Sequence, residues 1–413
     1  MHDFAEALLR EIASIGRDPD GGVTRLGLSP EDRKVRELFC RAMLDCGLEV
    51  RKDAFGNMFG RLAGTDNTLP AVATGSHLDT VPHGGRYDGV LGCVSGLAAL
   101  REIRNRGGCR HPLELIVFQL EESARFACST MGSKLLAGTV PPEALADKRD
   151  LFGRRLPEVM AEAGLCFDSL DSVRLPAGFY KAFIELHMDQ GPTLDEADLP
   201  LGVITHITGL RRARVVFTGM ASHAGGTRMA SRHDALVAAS EAVLALNRIA
   251  SSYDGKYSMV GTTGSIAVQP GAINIVPGRA EMQCELRSID DTTLRAAWQA
   301  YNSALEDIAA RYGTPVQLTL TESTAPVLMD GDLQDTLRTV CRRCDIPYMD
   351  MTSGAGHDCM NMAILVPSCM LFVRGRNGLS HHPDEFVDSR DIAAGCHVLY
   401  ETLRELAGCS ERL

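Results

Sequence analysis

The chain has 413 residues, a formal net charge of −11 and 45% hydrophobic residues, enough for about two to three domains with a substantial core. The acidic balance argues against nucleic acid or an anionic membrane as the main partner, since neither is attracted to such a field. No apolar run approaches the roughly 18 residues of a membrane span, and residues 1–12 mix acids with apolar residues and lack a signal-peptide core, so a cytoplasmic location is expected. Thirteen cysteines scattered through a long chain suit reduced thiols better than a disulfide framework. Cys341-Arg-Arg-Cys344 lies in a helical pattern with no second pair opposite it, and it reads as structural.

In chain order, the first expected element is a helix over 30–46, with Ser29 as N-cap and Pro30 in its first turn. The apolar run Ala71-Val-Ala-Thr74 reads as a core strand. Behind it comes Gly75-Ser-His-Leu-Asp-Thr-Val-Pro-His-Gly-Gly-Arg-Tyr-Asp-Gly-Val90, which carries His77, Asp79 and Asp88. His77 offers a neutral nitrogen to a metal, and Asp79 could orient that ring. Asp88 has two oxygens and could bridge two ions. A helix from Val90 to Arg106 ends at Gly107-Gly108, and Leu113-Glu-Leu-Ile-Val-Phe118 forms a second buried strand. Strand, helix, strand with both strands buried predicts a parallel sheet unit, whose ligands sit at the carboxyl ends of the strands.

Glu121 and Glu122 follow that second strand directly. Adjacent carboxylates repel, and a cation relieves this by binding one and leaving the other free as a general base. His187 ends another apolar run, Phe183-Ile-Glu-Leu-His-Met-Asp-Gln-Gly-Pro192. Taken alone it could equally be a core histidine bonded to backbone.

Residues 210–322 change rhythm: strand 214–217, helix 235–249, strands 265–268 and 280–286, helix 292–312, strand 316–321. That β-α-β-β-α-β order is the ferredoxin-like arrangement of an inserted domain. The first rhythm then resumes with a helix over 331–344, strands near 348–352 and 368–374, and a last helix over 390–407. The loop Gly378-Leu-Ser-His-His-Pro-Asp-Glu385 offers His381 or His382 as a further ligand, and spacing does not choose between them.

These motifs, with Glu121-Glu-Ser-Ala-Arg-Phe126, occur in one order and together closely resemble the amidase/hydantoinase–carbamoylase family of di-metal amidohydrolases. That family includes N-carbamoyl-L-amino-acid hydrolases, allantoate amidohydrolases and β-ureidopropionases. The resemblance runs from Gly21-Gly-Val-Thr-Arg-Leu26 to the His-His-Pro loop. It implies an α/β, mixed-sheet, di-zinc exopeptidase-like catalytic domain over 1–209 and 323–413, with a ferredoxin-like lid and dimerisation domain over 210–322. It further implies two divalent ions (zinc, manganese, cobalt or nickel) on His77, Asp88, Glu122, His187 and His381, with Asp88 bridging and Glu121 as general base.

His223, in Ala221-Ser-His-Ala-Gly-Gly-Thr-Arg-Met229, matches a histidine that reaches a neighbouring subunit's active site. Asn274 and Arg287 match binders of the substrate carboxylate, and Arg287 offers the planar fork that such a group needs. Gln190 belongs to the His187 motif. Gly356 and His357 lie in Ser353-Gly-Ala-Gly-His-Asp358, a glycine-rich loop that lines the site in the family. Three positions depart from the family pattern: Leu120 before the glutamate pair, Ser123 after it, and Arg228 in the lid motif. The implied reaction is hydrolysis of a linear amide or carbamoyl C–N bond in a small carboxylate substrate, first of all an N-carbamoyl-L-amino acid. The alternatives are allantoate hydrolysis, N-acyl amino-acid deacylation or dipeptide cleavage, and a metal-dependent binding protein without catalysis.

Overall fold

A computed structural model describes residues 1–253 and 255–409, which divide into two compact units. Among these residues, the first comprises Met1–Thr205, Met329–Met351 and residues 356–409; the second comprises His206–Leu328 with Thr352–Ala355.

The first unit is built on a mixed sheet. Its strands run, in spatial order, Glu49–Lys52, Met58–Leu62, Leu113–Phe118, Ala71–His77, Tyr180–Met188, Ser368–Val373 and Leu201–Ile207. The four strands from Leu113–Phe118 to Ser368–Val373 are mutually parallel, and antiparallel neighbours flank them on both sides. Every residue of Ala71–His77, Leu113–Phe118 and Ser368–Val373 is buried, as expected for parallel strands covered on both faces. The helix Pro30–Asp45 begins as expected, with the Ser29 hydroxyl accepting from the Asp32 N–H and proline in the first turn. Helix Val90–Asn105 packs on the central strands through Gly92, where an added Cβ would overlap the Leu186 carbonyl oxygen and lie 2.8 Å from Ser76 Cβ. That close approach draws the preceding residues, Asp88 included, down onto the strand ends.

Two expectations need correction. The strand from Ala71 does not stop at Thr74: Gly75, Ser76 and His77 stay in register with Ile116, Val117 and Phe118. His77 is therefore the last residue of a strand rather than part of a loop. The thiols are also not all free. Cys109 and Cys409, 300 residues apart, form a disulfide, brought together where Arg110 and His111 donate to the carbonyls of Gly408 and Ala407. The other eleven cysteines are free, and Cys341 is buried in the helix Gly331–Arg343 that Cys344 terminates.

The second unit has a four-stranded antiparallel sheet in the order Val316–Thr324, Gly209–Thr218, Arg279–Ser288, Val260–Gln269. Numbered along the chain, that order is 4-1-3-2, the ferredoxin-like topology. Helix Ala235–Ser251 presents Ala235, Ala238, Ala239, Ala242 and Ala245 to the core, and helix Asp291–Tyr312 adds Leu294, Trp298, Tyr301, Leu305 and Ile308. Both stripes follow helical spacing, and Asp234 and Asp290 cap the helix starts through their carboxylates. The small alanine face lets its helix lie close to the sheet.

Candidate metal and catalytic site

Parallel strands place their carboxyl ends on one edge, and this sequence loads that edge with ligand atoms. His77 closes its strand opposite Phe118, and His187 lies one residue before the end of its own, opposite Phe372. Asp88 arrives from the turn ahead of helix Val90–Asn105, Glu121 and Glu122 follow Leu113–Phe118, and His381 follows Ser368–Val373. All but His381 are buried.

Asp88 is the hub. Its Oδ1 lies 3.1 Å from His187 Nε2 and 3.8 Å from His77 Nε2, while its Oδ2 lies 3.0 Å from His381 Nε2. His381 Nε2 is also 3.3 Å from Glu122. Two groups with metal-holding geometry thus share Asp88: one with His77 and His187, the other with Glu122 and His381. Glu121 belongs to neither, although its Oε2 is 3.8 Å from His77 Nε2. Of the two histidines that the sequence left open, His381 enters the cluster, with φ at 55°. His382 is exposed, and its Nδ1 accepts from the Asp384 N–H.

Asp79 acts differently from expectation. The ring of His77 is oriented by the main-chain carbonyl of Asp79, 3.0 Å from Nδ1, whereas the Asp79 carboxylate stands at 3.7 Å. That carboxylate instead accepts the backbone N–H groups of Glu121 (3.3 Å) and Glu122 (3.1 Å), which fixes the turn presenting both glutamates. The turn is strained: Leu120, fully buried, has φ at 54°, a region that costs a side-chain-bearing residue roughly 1 kcal/mol or more. His187 Nδ1 lies 3.0 Å from the Met188 carbonyl oxygen, the usual way of fixing a ligand's tautomer.

Burial and close contacts shift the groups of this cluster in opposite directions, and burial lowers His77 to about 4. Burial opposes ionisation of Asp88, yet hydrogen bonds from His187 and His381 hold its carboxyl well below the usual range. Its bonds to Asp88 and Glu122 push His381 up to about 11. Burial lowers His187, but the bond and charge of Asp88, with Glu185 and the Met188 carbonyl, together raise it to about 9. Glu121, which has no such partner, is pushed well up by burial and then by Glu122. His187 and His381 lie between these carboxylates, and nitrogen and carboxylate donors of this kind suit zinc, manganese, cobalt or nickel.

Three contributors were not singled out in the sequence. Glu385 accepts the N–H groups of Tyr87 (2.8 Å) and Asp88 (3.1 Å), and Ser380 donates to both Asp88 and Glu385. Gly85 makes room for Glu385, because a Cβ there would overlap its carboxylate. Glu385 lies in the same motif as His381, and the Gly84-Gly85 pair was the available signal. Gln190 donates from Nε2 to Asp88 (3.0 Å), while its Oε1 is buried without a hydrogen-bond partner. His357 stacks edge-on against His187 with centroids 4.6 Å apart and directly follows Gly356. Burial, then His187, holds its pKa well below the ordinary value.

The remaining expected residues lie in the second unit. His223 pairs with Ile275 in a short antiparallel ladder, and the Asn274 carbonyl accepts from Ala224. His223 Nδ1 accepts from the N–H groups of Gly225 (3.1 Å) and Gly226 (3.0 Å), so the neutral ring carries its proton on Nε2. Arg287 places Nε 2.8 Å from Glu285 and Nη1 2.6 Å from the Gly354 carbonyl oxygen.

The model of peptidase family M20/M25/M40 matches residues 73–405. An N-carbamoyl-L-amino acid amidohydrolase of Geobacillus stearothermophilus is 38% identical, with 97% of each chain covered. An allantoate amidohydrolase of Escherichia coli is 34% identical, again over 97% of each. Among solved structures, a hydantoinase/carbamoylase family amidase from Burkholderia multivorans superposes with a TM-score of 0.88 at 34% identity, covering 98% of each chain. The chain belongs to peptidase family M20/M25/M40, alongside the hydantoinase/carbamoylase amidases.

Proposed function

We propose that this protein is a metal-dependent amidohydrolase that cleaves a linear amide or carbamoyl C–N bond in a small carboxylate substrate. An N-carbamoyl-L-amino acid is the first choice, and allantoate the second, each the substrate class of a relative named above. The observation that carries the reading is Asp88 shared between two ligand groups with Glu121 left outside both. His77, Asp88, Glu122, His187 and His381 would hold two divalent ions, which would supply Lewis acidity to activate water and polarise the scissile carbonyl.

Glu121 takes a proton from the attacking water and passes it to the departing nitrogen. Asp79 keeps Glu121 and Glu122 pointing apart by gripping their backbone. Gln190, with a free buried Oε1, is suited to accept an N–H of the substrate's carbamoyl or amide group. His223 offers Nε2–H as a donor to the developing oxyanion, and His357 lies against His187 to assist polarisation beside Gly356. Arg287 and Asn274 bind the substrate carboxylate, and Arg287 must then exchange part of its hold on Glu285.

The second unit acts as lid and dimerisation domain, and His223 serves the partner's site in a cytoplasmic homodimer. The strand Val260–Gln269 supports this part of the reading: it is an edge strand with Val260 51% and Ile266 44% exposed, open to pairing with another chain. No helix among the described residues is long and apolar enough to cross a membrane.

The deciding experiment assays N-carbamoyl-L-amino acids, allantoate, N-acyl amino acids and dipeptides with zinc, manganese, cobalt or nickel. Ammonia release from a carbamoyl substrate or allantoate is expected. Turnover of acylated amino acids or dipeptides alone would replace the reading with a deacylase or peptidase. Inertness of the fully metal-loaded protein towards every substrate would favour a binding protein.

A further inference from the structure

We propose that a second cavity, of about 470 Å³, binds a small organic anion with an apolar body, such as an aromatic or branched-chain carboxylate, and that its occupancy is coupled to the Asp88 centre. The cavity lies in the first unit, between the N-terminal helix His2–Ile12 and the start of the helix Ser389–Ala407. Its apolar walls include Leu9, Ala13, Tyr87, Phe386 and Ile392, and three arginines line it as well, Arg10, Arg17 and Arg86.

Charge selects the ligand class. In a chain of net charge −11, many arginines are held by acids, as Arg106 is by Glu102, Arg154 by Glu162 and Arg343 by Glu405. No carboxylate among the described residues pairs with Arg10, Arg17 or Arg86. The single acid in the lining, Glu6, sits 3.5 Å from His2. Three arginines without a carboxylate partner around one apolar cavity give an anion a local attraction that the net charge of the chain opposes. Arg86 is also pre-organised: its guanidinium lies 5.1 Å from the Tyr87 ring centroid and 5.6 Å from that of Phe386. Those two rings meet edge to face at 6.0 Å. A fork held on aromatic faces loses little freedom when it grips an oxyanion.

Size and wall chemistry complete the assignment. The volume falls within the roughly 300–1,000 Å³ usual for small-molecule sites, and the apolar wall calls for a hydrophobic body behind the charge. An inorganic anion would leave that wall in contact with water.

The coupling follows from adjacency. Tyr87 and Phe386 are chain neighbours of Asp88 and Glu385, and the Glu385 carboxylate takes the N–H groups of Tyr87 and Asp88. Ser380 joins the same two carboxylates. A ligand that shifts the Tyr87–Phe386 pair must shift the cradle of Asp88, and by linkage a metal held there changes ligand affinity by the same factor.

The test uses benzenesulfonate, a permanent anion with little affinity for divalent ions, titrated calorimetrically into the metal-loaded and chelator-treated protein. Sulfate and benzyl alcohol serve as controls that lack the body or the charge. One benzenesulfonate per chain is expected, bound more tightly than either control. Arg86→Gln should weaken binding by about ten- to a hundredfold, the usual loss for a charge-assisted pair. Ala13→Trp should fill the cavity and abolish binding while leaving metal stoichiometry unchanged. Binding weaker than about 10 mM, or binding that ignores both substitutions, overturns the site. Equal affinity with and without metal overturns the coupling. Should Ala13→Trp fail to fold, Arg86→Gln, on an exposed side chain, still decides.

Discussion

Replacing Glu121 by glutamine tests the division of labour between two adjacent carboxylates. The change keeps shape and volume, and it leaves the backbone N–H that Asp79 grips (3.3 Å) untouched. It removes only the capacity to carry a proton to and fro. General bases contribute about 10²–10⁴ in rate, so turnover should fall by that factor, which is about 2.7–5.4 kcal/mol of transition-state stabilisation at 1.36 kcal/mol per decade. Metal content should stay at the wild-type level, because Glu121 lies outside both ligand groups. The metal-free variant should melt no lower than the wild type. Burial and Glu122 already push the Glu121 carboxyl well above its ordinary range, so a neutral isostere relieves a like-charge contact. The assay pairs kcat and KM on the best substrate with metal analysis of dialysed protein and calorimetric melting. Loss of metal, with activity restored by excess ion, would mean that Glu121 is the ligand and Glu122 the base. Wild-type turnover with full metal content would remove Glu121 from the chemistry altogether.

Arg287→Lys loses the planar fork, and KM for carboxylate substrates should rise by one to two decades, about 1.5–3 kcal/mol; an equal loss on amidated analogues would reduce Arg287 to holding its own strand. Gly75→Ala places a Cβ 2.9 Å from the Ile116 carbonyl carbon and overlapping its oxygen, and such overpacking should cost about 1–3 kcal/mol in calorimetric stability. A melting point equal to wild type would show that the two strands can part there. Mixing His223→Ala and Glu121→Gln subunits, each inactive alone, should restore activity in heterodimers through one site with an intact base and a borrowed histidine. No recovery in verified heterodimers would confine His223 to its own chain.

Much of the fold was legible because period and burial agreed. The runs 113–118 and 368–373 are apolar apart from Glu114 and Ser368, and such runs become central parallel strands. The ferredoxin-like order of the second unit followed from counting elements between 210 and 322. What escaped were features decided by pairing partners far along the chain. His77 looked like a loop residue because Gly75 and Ser76 are poor strand formers, yet register with Ile116 and Val117 carries the strand through them. Cys109 meets Cys409 only because the chain from Ala407 to Gly408 docks on Arg110 and His111, a contact that spacing does not reveal.

The site shows the same boundary between chemistry and geometry. Residue type after apolar runs was enough to put forward His77, Asp88, the Glu121–Glu122 pair, His187 and the His381–His382 pair, because few other side chains serve a divalent ion, and the family resemblance narrowed them to His77, Asp88, Glu122, His187 and His381. Residue type could not rank His381 against His382, since only the left-handed backbone of His381 turns one ring towards Asp88 and leaves its neighbour in solvent. Asp79 is the more instructive case. Sequence proximity paired its carboxylate with His77, two residues away, but the strand ends at His77, and the nearer acceptor for the ring is the Asp79 main-chain carbonyl. The freed carboxylate finds the amides of Glu121 and Glu122 across the parallel pair instead. Asp79 thereby supports ligand and base at once, and Asp79→Asn should disturb both: one oxygen acceptor becomes a donor facing a backbone N–H. Metal affinity and kcat should fall together in that variant, whereas a change confined to His77 would lower metal affinity alone. Separate titration of the two quantities decides whether Asp79 organises the glutamate pair or only the histidine.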